Sequence, residues 1–387
     1  MSRVRCNRCN KAERILRAGM VRNKQRYYCK DCDYHFTISD RRRTVMRDNK
    51  RSSGQVSQRD IAAAAGVNVT TVSRALNDHP DLNADTKAQI RELARKLNYQ
   101  PNQLAQSLVN RSTHTIGVVI PDLETSFFSS MLNGIQHVAA KAGYRVVICV
   151  SDEDHATEVS NVQALMNNMI DGMLVCHTLH TRSFEHIRLH IGRRIPIVQF
   201  YRVVDDLPIS KIKADDEVGA ESVTDHLIQQ GCRRIAMLLG PKGFPLSDSR
   251  LAGYRRSLKK HGMTPDPKLL THVDFTYPKV IRAVDNWLRL DPAVDAIFSI
   301  SDKCAVQIIR HLRKKGIDVP GRIRVFGFGV GTEYIGEVVE PSLSIFDVKT
   351  RAIGEEAARV LIEQIITGDW SPIEKMIGGR IILRESA

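Results

Sequence analysis

The sequence predicts a multidomain protein with a small metal-stabilised front, an all-α head and a large α/β body built from parallel sheets. Three observations lead to this prediction. Two pairs of closely spaced cysteines lie near the front, two short helical patterns joined by a glycine follow, and apolar runs then alternate with helical stretches to the end of the chain. A chain of 387 residues is too long to fold around a single hydrophobic core, so two or three domains are expected.

The four cysteines at the front have the spacing of a metal site. Two residues separate the members of each pair, and 19 residues separate the pairs. This spacing lets two thiolates bind one ion from a tight turn, and a hairpin then brings the second pair opposite the first. We predict a zinc ribbon over residues 1–40 that holds one structural Zn²⁺, although two disulfides are the alternative. The expected ligands are Cys6, Cys9, Cys29 and Cys32.

The run KQRYYCKDCDYHFT resembles the zinc ribbon at the front of many insertion-sequence transposases, over about the first 40 residues only. Positive charge is concentrated in the same part of the chain. Residues 1–55 contain 16 Lys and Arg against five Asp and Glu, and the whole chain has a net charge of +14. Such a segment on a nearly neutral body is typical of a polyanion-binding head, although a solvated basic tail has the same composition. Residues 41–55 lack apolar periodicity and predict a charged linker.

Two short helical patterns follow the linker. Ser57 is placed to cap the first, Gly66 permits a turn, and Asn68 is placed to cap a second helix from about Val69 to Leu76. Two short helices joined by such a turn predict a helix-turn-helix, whose second helix presents its N-terminal residues to the major groove of DNA. A third helix is expected at about Ala84–Leu97.

Longer motifs extend from about Val56 to the C-terminus. They are AGVNVTTVSRALN, NYQPNQLAQSL, THTIGVVIPDLETSFFSSMLNGI, HLIQQGCRRIAMLLGP, SRLAGY, DFTY and IILRES. Over roughly 330 residues the chain resembles the lactose-repressor/galactose-repressor (LacI/GalR) family of transcription regulators. The resemblance implies a helix-turn-helix domain at 56–100, a hinge helix and linker at 101–114, and an effector-binding and dimerisation domain at 115–387.

The resemblance also implies DNA-contacting roles. Val69 and Thr70 match the base-reading pair of the recognition helix, and Arg74 matches a further groove contact. Val69 offers an apolar contact, for example to a thymine methyl group, whereas Thr70 can hydrogen-bond a base edge. Contacts to phosphates are expected from Ser57, Thr71, Ser73 and Asn77.

A hinge helix is implied at Asn102–Leu108, after Pro101. In the family this helix orders on the operator and enters the minor groove, and both Asn102 and Leu108 are expected to contact DNA. Leu108 matches the apolar wedge that kinks the duplex, although an ordinary linker leucine is the alternative.

The body shows repeated βα units. The runs IGVVIPD, YRVVICVSD, IDGMLVCH, PIVQFY, RRIAMLLGP, DAIFSIS and IRVFGFG are separated by helical stretches, which predicts parallel sheets with helices on both faces. The resemblance implies a two-lobed periplasmic-binding-protein-like fold, with chain crossings near Gly231, Phe346 and Gly368.

Ligands of open α/β sheets bind at the carboxyl ends of strands, here between the lobes. The effector-binding residues expected there combine aromatic rings with charged groups, which suits a polyhydroxylated or anionic metabolite. Arg250 is equally suited to a helix cap or to a salt bridge between the lobes. The candidates are Phe127, Phe128, Asp152, Arg250, Phe275, Ser301 and Asp302.

One departure from the family concerns the effector. Sugar and purine regulators usually have Asp after the Gly-aromatic pair at one strand end, where this chain has Gly329, and Ser301 replaces the commoner Asn. The class of effector therefore does not carry over, and loss of small-molecule sensing is an open alternative. The scattered histidines, including His177 and His186, are expected at surface-helix or strand-end positions without a role.

These features together predict a cytoplasmic, sequence-specific transcription regulator that binds a pseudo-palindromic operator as a dimer. A repressor modulated by a small molecule such as a sugar is the preferred form, and a tetramer is an alternative. The motifs of enzymes are missing from the sequence, and no apolar run predicts a membrane span. Two other functions stay open: a regulator whose ribbon binds a protein partner or a second DNA segment, and a ligand-binding protein without regulatory output.

Overall fold

The computed structural model describes residues 4, 6, 8, 9, 14–21, 24–37, 56–100, 112–123, 126–330 and 334–387. The chain forms two compact units, residues 1–106 and 107–387. The predicted linker at 41–55 and the predicted hinge helix, with Asn102 and Leu108, lie outside the described residues. Within the described part, every helix is too short or too polar to cross a lipid bilayer.

The front of the first unit is a small antiparallel sheet. Its strands are β1 (Ile15–Val21), β2 (Lys24–Cys29) and β3 (Tyr34–Thr37), in that order. Only Cys6, Cys29 and Phe36 are buried there among the described residues, so the apolar core is very small. A core of this size cannot stabilise a fold alone, which is why such units depend on a bound metal or on disulfides.

The three helices of the head lie where the sequence predicts them: α1 (Gln58–Ala65), α2 (Val69–Leu76) and α3 (Ala84–Lys96). Gly66 ends α1 in the left-handed conformation, with φ +65°, which a glycine adopts without strain. The helices pack around a small apolar core of Ile61, Ala62, Val72, Ala75, Ile90 and Ala94.

The second unit contains two six-stranded sheets, each the centre of one lobe. The elements of the first lobe are β4 (Thr115–Ile120), α4 (Ser126–Lys141), β5 (Arg145–Val150), α5 (His155–Asn167), β6 (Gly172–Val175), α6 (Glu185–Arg188), β7 (Ile197–Phe200), β8 (Ser210–Ala214), α12 (Thr350–Thr367) and β14 (Glu374–Ile377). Its sheet is wholly parallel, in the order β14-β8-β7-β6-β4-β5. Parallel pairing requires crossover connections, which the intervening helices supply.

The elements of the second lobe are α7 (Asp216–Gln229), β9 (Ile235–Leu239), α8 (Pro245–Lys260), a short 3₁₀ helix (Pro267–Leu269), β10 (Leu270–His272), α9 (Tyr277–Leu288), β11 (Ala296–Ser299), α10 (Asp302–Lys314), β12 (Arg324–Gly329), α11 (Tyr334–Val338), β13 (Ser344–Asp347) and β15 (Arg380–Ile382). Its sheet has the order β10-β9-β11-β12-β13-β15 and is parallel except for its last strand, β15.

The chain crosses between the lobes at three places. It leaves the first sheet after Ala214, returns between Asp347 and Thr350, and crosses again between Ile377 and Arg380. The crossings predicted near Gly231 and Gly368 are therefore wrong. The first was misplaced because β8 alternates buried and half-buried residues in the polar sequence SKIKA, so it lacks the apolar run by which the other strands were recognised. The last was misplaced because β14, the half-exposed sequence EKMI, lacks such a run as well.

Candidate functional site

The four cysteines meet at one end of the small sheet. Their sulfur atoms all lie within 4.8 Å of one another, with Cys6 Sγ 3.5 Å from Cys32 Sγ and Cys9 Sγ 3.6 Å from Cys29 Sγ. A disulfide requires sulfur atoms about 2.05 Å apart, so all four are free thiols. Tetrahedral zinc with Zn–S bonds of about 2.3 Å places its ligands about 3.8 Å apart. The donor set and spacing therefore fit this ion.

The second helix of the head, α2, has a buried face and an exposed face. Val72 and Ala75 are buried in the helical core, whereas Thr70, Arg74 and Asn77 are exposed. Thr71 and Ser73 are half-buried. Val69 is half-buried as well and packs against the core, so it presents only part of its side chain to a partner.

Ser57 lies at the N-terminus of α1. The Asp60 carboxylate accepts hydrogen bonds from the Ser57 backbone N–H at 2.8 Å and from its hydroxyl at 2.7 Å. These bonds fix the first turn of the helix. Ser57 is exposed, which leaves its outer surface accessible.

Arg250 is buried where segments of both lobes meet. Its Nε donates to Asp216 Oδ1 at 2.7 Å and its Nη1 donates to the Ile300 carbonyl at 2.6 Å. Nη2 reaches the Tyr201 hydroxyl of the first lobe at 3.4 Å, and the guanidinium carbon lies 3.9 Å from the centre of the Phe328 ring. Burial alone would lower the pKa of Arg250, but the Asp216 carboxylate raises it, so the guanidinium is charged.

A cavity of about 420 Å³ opens beside this ion pair, between the two lobes. It lies at the carboxyl ends of β6, β7 and β8, and Tyr201 and Asp216 separate it from Arg250. Burial raises the pKa of the Tyr201 hydroxyl to about 12, so this group is protonated. Polar residues that line the cavity are His177, Thr178, Thr181, Arg182, Arg202, Asp205, Lys213, Asp216, Glu217 and Ser249.

Arg202 is a cavity residue that the sequence analysis missed. Its guanidinium carbon lies 5.2 Å from the centre of the Phe128 ring and 5.5 Å from that of Phe244, so it is flanked by one aromatic ring from each lobe. Its Nη1 donates to both carboxylate oxygens of Glu153, at 2.8 and 2.9 Å. Its Nε is buried without a hydrogen-bond partner among the described residues. The position directly after β7 is the signal that could have identified it.

The predicted aromatic residues lie around the cleft. Phe127 packs against Tyr201 with ring centres 4.7 Å apart, and Phe128 is buried beside it. Phe275 adopts a left-handed backbone conformation with φ +63° and lies next to Gly240, at the end of β9. These three side chains surround the cavity but are not among the described residues that line it.

Asp152 lies apart from the other predicted effector-binding residues. It is exposed on the turn after β5, where both Asp152 and Glu153 have positive φ. The turn brings Glu153 to Arg202 instead. The carboxylate at this strand end that contacts a cavity-lining residue is therefore that of Glu153, one residue further along than predicted.

Ser301 and Asp302 lie at the carboxyl end of β11, where Ser301 caps α10. Asp302 Oδ2 lies 3.5 Å from the backbone nitrogen of Val330. A Cβ atom at position 329 would lie 2.2 Å from the same oxygen, so only glycine leaves room for the Asp302 carboxylate there. A side chain at position 329 and the Asp302 carboxylate in its present position therefore exclude each other.

A buried polar network lies behind the cavity wall in the first lobe. Glu158 is fully buried, and its carboxylate contacts His177 Nδ1 at 3.0 Å and His186 Nε2 at 2.8 Å. It also accepts from the Thr178 backbone N–H and the Thr181 hydroxyl, both at 2.8 Å. His177 lies at a strand end, after β6, as expected, but it is buried. His186 lies on α6 and is buried, so the expectation of a surface-helix position is wrong for it. The Glu158 carboxylate that both contact is distant in sequence, so no local pattern indicated the network.

A helix-turn-helix head followed by a two-lobed α/β body, with a charged cleft at its strand ends, defines a ligand-responsive DNA-binding regulator. Comparison with known proteins supports this class of protein. Residues 57–102 match the family of bacterial regulatory proteins of the lacI type, and residues 113–378 match the periplasmic binding proteins and sugar binding domain of the LacI family. The chain belongs to the LacI family of transcription regulators.

Several relatives align over nearly their whole length. The ribose operon repressor of Halalkalibacterium halodurans is 29% identical over 85% of this chain and 96% of its own, and catabolite control protein A of Staphylococcus xylosus is 30% identical over 84% and 97%. The structure of the transcriptional regulator CelR in complex with cellobiose covers 86% of this chain and 100% of its own, with 27% identity and a TM-score of 0.64. The four-cysteine ribbon lies outside both matched family ranges.

Proposed function

We propose that the protein binds a pseudo-palindromic operator as a dimer and that α2 reads the major groove. The observation that carries this proposal is the division of α2 into a buried face and an exposed face that bears Thr70 and Arg74. Thr70 hydrogen-bonds a base edge and Arg74 makes a further groove contact, while Val69 adds an apolar contact. Ser57, Thr71, Ser73 and Asn77 contact phosphates. Two-fold symmetry of the dimer matches the two half-sites.

The hinge completes this proposal. Asn102 and Leu108 contact the central minor groove, and Leu108 wedges between base pairs and bends the duplex. Ligand binding in the cleft changes the relative position of the lobes and so the pairing of the two hinge helices.

The cleft favours a polyhydroxylated effector such as a sugar. Arg202 between two aromatic rings offers both charge-assisted hydrogen bonding and an apolar surface on which a sugar ring stacks. Hydroxyl groups of Thr178 and Thr181 and the ring of His177 add polar groups to the cavity wall. The relative CelR is described in complex with cellobiose, which supports the same class of ligand here.

Asp302 takes the place of the missing strand-end carboxylate in this proposal. Glycine at 329 creates the space into which Asp302 projects, so the second lobe still presents a carboxylate at the strand ends. With Arg250, Phe275 and Ser301 it forms the floor of the site beneath the cavity.

The ribbon holds one zinc ion in this proposal and adds a basic DNA-binding surface. The four thiols, whose sulfur atoms all lie within 4.8 Å of one another, support the ion. The concentration of Lys and Arg in residues 1–55 supports the contact with phosphates. A mercurial reagent that blocks thiols should release one zinc per chain from the protein and none from the Cys29→Ser variant. Equal release from both proteins would contradict the assignment.

One experiment tests the regulatory function and the effector class together. Selection of duplexes from random DNA by the full chain should yield one pseudo-palindromic sequence, and a panel of mono- and disaccharides should then contain at least one that changes the affinity for it. Arg202→Met should abolish the sugar response, whereas Arg188→Met, an exposed arginine of the same lobe, should retain it. Recovery of unrelated duplexes would refute sequence-specific binding. A selected operator without any sugar response would refute only the effector.

The ribbon also suits a second function, which its position outside the family match favours. It would bind a protein partner or a second DNA segment while the head holds the operator. Removal of residues 1–55 would then leave operator affinity unchanged and abolish only the second interaction.

A further inference from the structure

Three side chains with metal-binding atoms converge in the first lobe, away from the four cysteines. His155 and Glu158 lie about one turn apart at the start of α5, and His186 lies on α6. One ring nitrogen from each histidine and one carboxylate oxygen of Glu158 all lie within 4.8 Å of one another. The start of α5 is fixed because Asp154 accepts a hydrogen bond from the Thr157 backbone N–H at 2.7 Å.

Four contacts hold the Glu158 carboxylate at this position. Its Oε2 accepts two hydrogen bonds, from the Thr178 backbone N–H and from the Thr181 hydroxyl, and its Oε1 faces ring nitrogens of His177 and His186. A fully buried carboxylate needs positive charge beside it.

The orientation of His177 follows from its contact with Gln199. Gln199 is oriented by Val204, whose N–H donates to Gln199 Oε1 at 2.9 Å and whose carbonyl accepts from Gln199 Nε2 at 3.2 Å. Gln199 Oε1 therefore accepts from His177 Nε2, at 3.1 Å. This leaves His177 Nδ1 facing Glu158 Oε1 at 3.0 Å. A cation bound at Glu158 supplies the positive charge that the buried carboxylate needs.

His155 gives an independent indication of a ligand. Its Nδ1 is buried and has no hydrogen-bond partner among the described residues. Its ring lies edge-on to that of His186, with ring centres 5.4 Å apart. An imidazole nitrogen buried without a hydrogen-bond partner is unfavourable, and coordination to an ion would supply that partner.

We propose that His155, Glu158 and His186 bind one divalent transition-metal ion of the zinc class. Two imidazoles and one carboxylate suit zinc and its neighbours in the first transition series, whereas magnesium and calcium prefer oxygen ligands. His177, Thr178 and Thr181 hold Glu158 in place by hydrogen bonds, as outer groups commonly do for ligating carboxylates.

The location gives the ion a role in the cleft. His177, Thr178 and Thr181 line the cavity between the lobes on one side and contact Glu158 on the other. An ion that joins α5 to α6 fixes this wall of the cavity. The metal is thus placed to control access to the cleft, separately from the zinc proposed for the ribbon.

Cobalt(II) titration of the full reduced chain, stripped of metal, tests this proposal because the two sites differ in spectrum. Four thiolates give Co²⁺ strong near-ultraviolet charge-transfer absorption, whereas two histidines and a carboxylate give only weak visible bands. We expect two cobalt ions per chain. Cys29→Ser should lose the charge-transfer absorption and keep one ion, and His155→Ala should keep that absorption and lose the other ion.

His155→Ala is the preferred variant because its Nδ1 makes no hydrogen bond that folding requires. His190→Ala is the matched control: His190 is half-buried near α6 and lies outside the cluster. It should bind both ions. Binding of one ion by the parent protein with charge-transfer absorption only, or retention of both ions by His155→Ala, would overturn the proposal. Absence of any ion from Cys29→Ser would also overturn it, independently of how His155→Ala folds.

Discussion

Replacing Arg250 with methionine should destabilise the second lobe by about 4 kcal/mol. Methionine retains most of the volume of the side chain but removes its charge. The Asp216 carboxylate, which is only 5% exposed, is then buried without the guanidinium that stands 2.7 Å from it. Breaking a buried ion pair from one side costs about 3–5 kcal/mol. The Ile300 carbonyl also loses its donor, which contributes about 1 kcal/mol toward the upper part of that range.

A second variant separates the charge effect from the loss of packing. In Arg250→Met with Asp216→Asn, the remaining partner is neutral, so the cost of an uncompensated buried charge disappears. We expect the double variant to recover at least about half of the lost stability. Arg250→Lys should not restore the parent value, because an ammonium group cannot reach the carboxylate, the carbonyl and the Tyr201 hydroxyl together.

The assay is urea unfolding followed by tryptophan fluorescence. The chain contains two tryptophans, and Trp287 is buried in the same lobe as Arg250. A Trp370→Phe background leaves Trp287 as the reporter of the second lobe. A loss below about 1 kcal/mol in the single variant, or a double variant no more stable than the single one, would refute the view that this ion pair holds the lobe together.

The remaining predictions concern the stability of the protein in acid, Gly329, and the basic N-terminal residues 1–55. A hydrogen bond from Arg359 lowers the pKa of Glu356 to about 2, against about 4.3 unfolded, so its contribution is full near neutrality and declines as the pH falls from about 4.3 toward 2. The stability difference between the parent and Glu356→Gln in thermal unfolding should shrink over that range, and a constant difference would contradict the assignment. Gly329→Ala should destabilise the body by about 1–3 kcal/mol, and Asp302→Ala should relieve part of this cost because the carboxylate is the nearest clashing group. Full stability of Gly329→Ala would show that Asp302 moves freely. Removal of residues 1–55 should weaken binding to all DNA and flatten its salt dependence in anisotropy titrations, because phosphate-neutralising charges are lost. If the salt dependence of the DNA affinity is unchanged, residues 1–55 bind a partner other than DNA.

Local patterns predicted the head and the strands with long apolar runs. Gly66 and the capping residues Ser57 and Asn68 indicated both helices of the helix-turn-helix. Each apolar run from Ile116 onward became a strand, and these strands are buried except for the edge strand β5. Strands such as β8 were missed because they alternate polar and apolar residues at a sheet position near the edge.

The site was predicted less completely because its contacts join distant segments. Arg250 meets residues 34, 49 and 50 positions away, and His177 meets Glu158 across 19 positions. Close helix packing is equally non-local: a Cβ at Gly354 would lie 2.0 Å from the Met131 carbonyl, which requires glycine where α12 crosses α4. Sequence periodicity carries no information on such pairs.

The most direct test of the central claim is the affinity of Thr70→Ala for the selected operator and for a scrambled duplex of equal length. We predict a loss of about 1–3 kcal/mol on the operator and almost none on the scrambled duplex, because the proposed role of Thr70 is to read a base and not to contact a phosphate. Gln89→Ala, an exposed truncation on α3, should leave both affinities unchanged. Equal losses on both duplexes, or no loss on the operator, would contradict the proposal that α2 reads the DNA sequence.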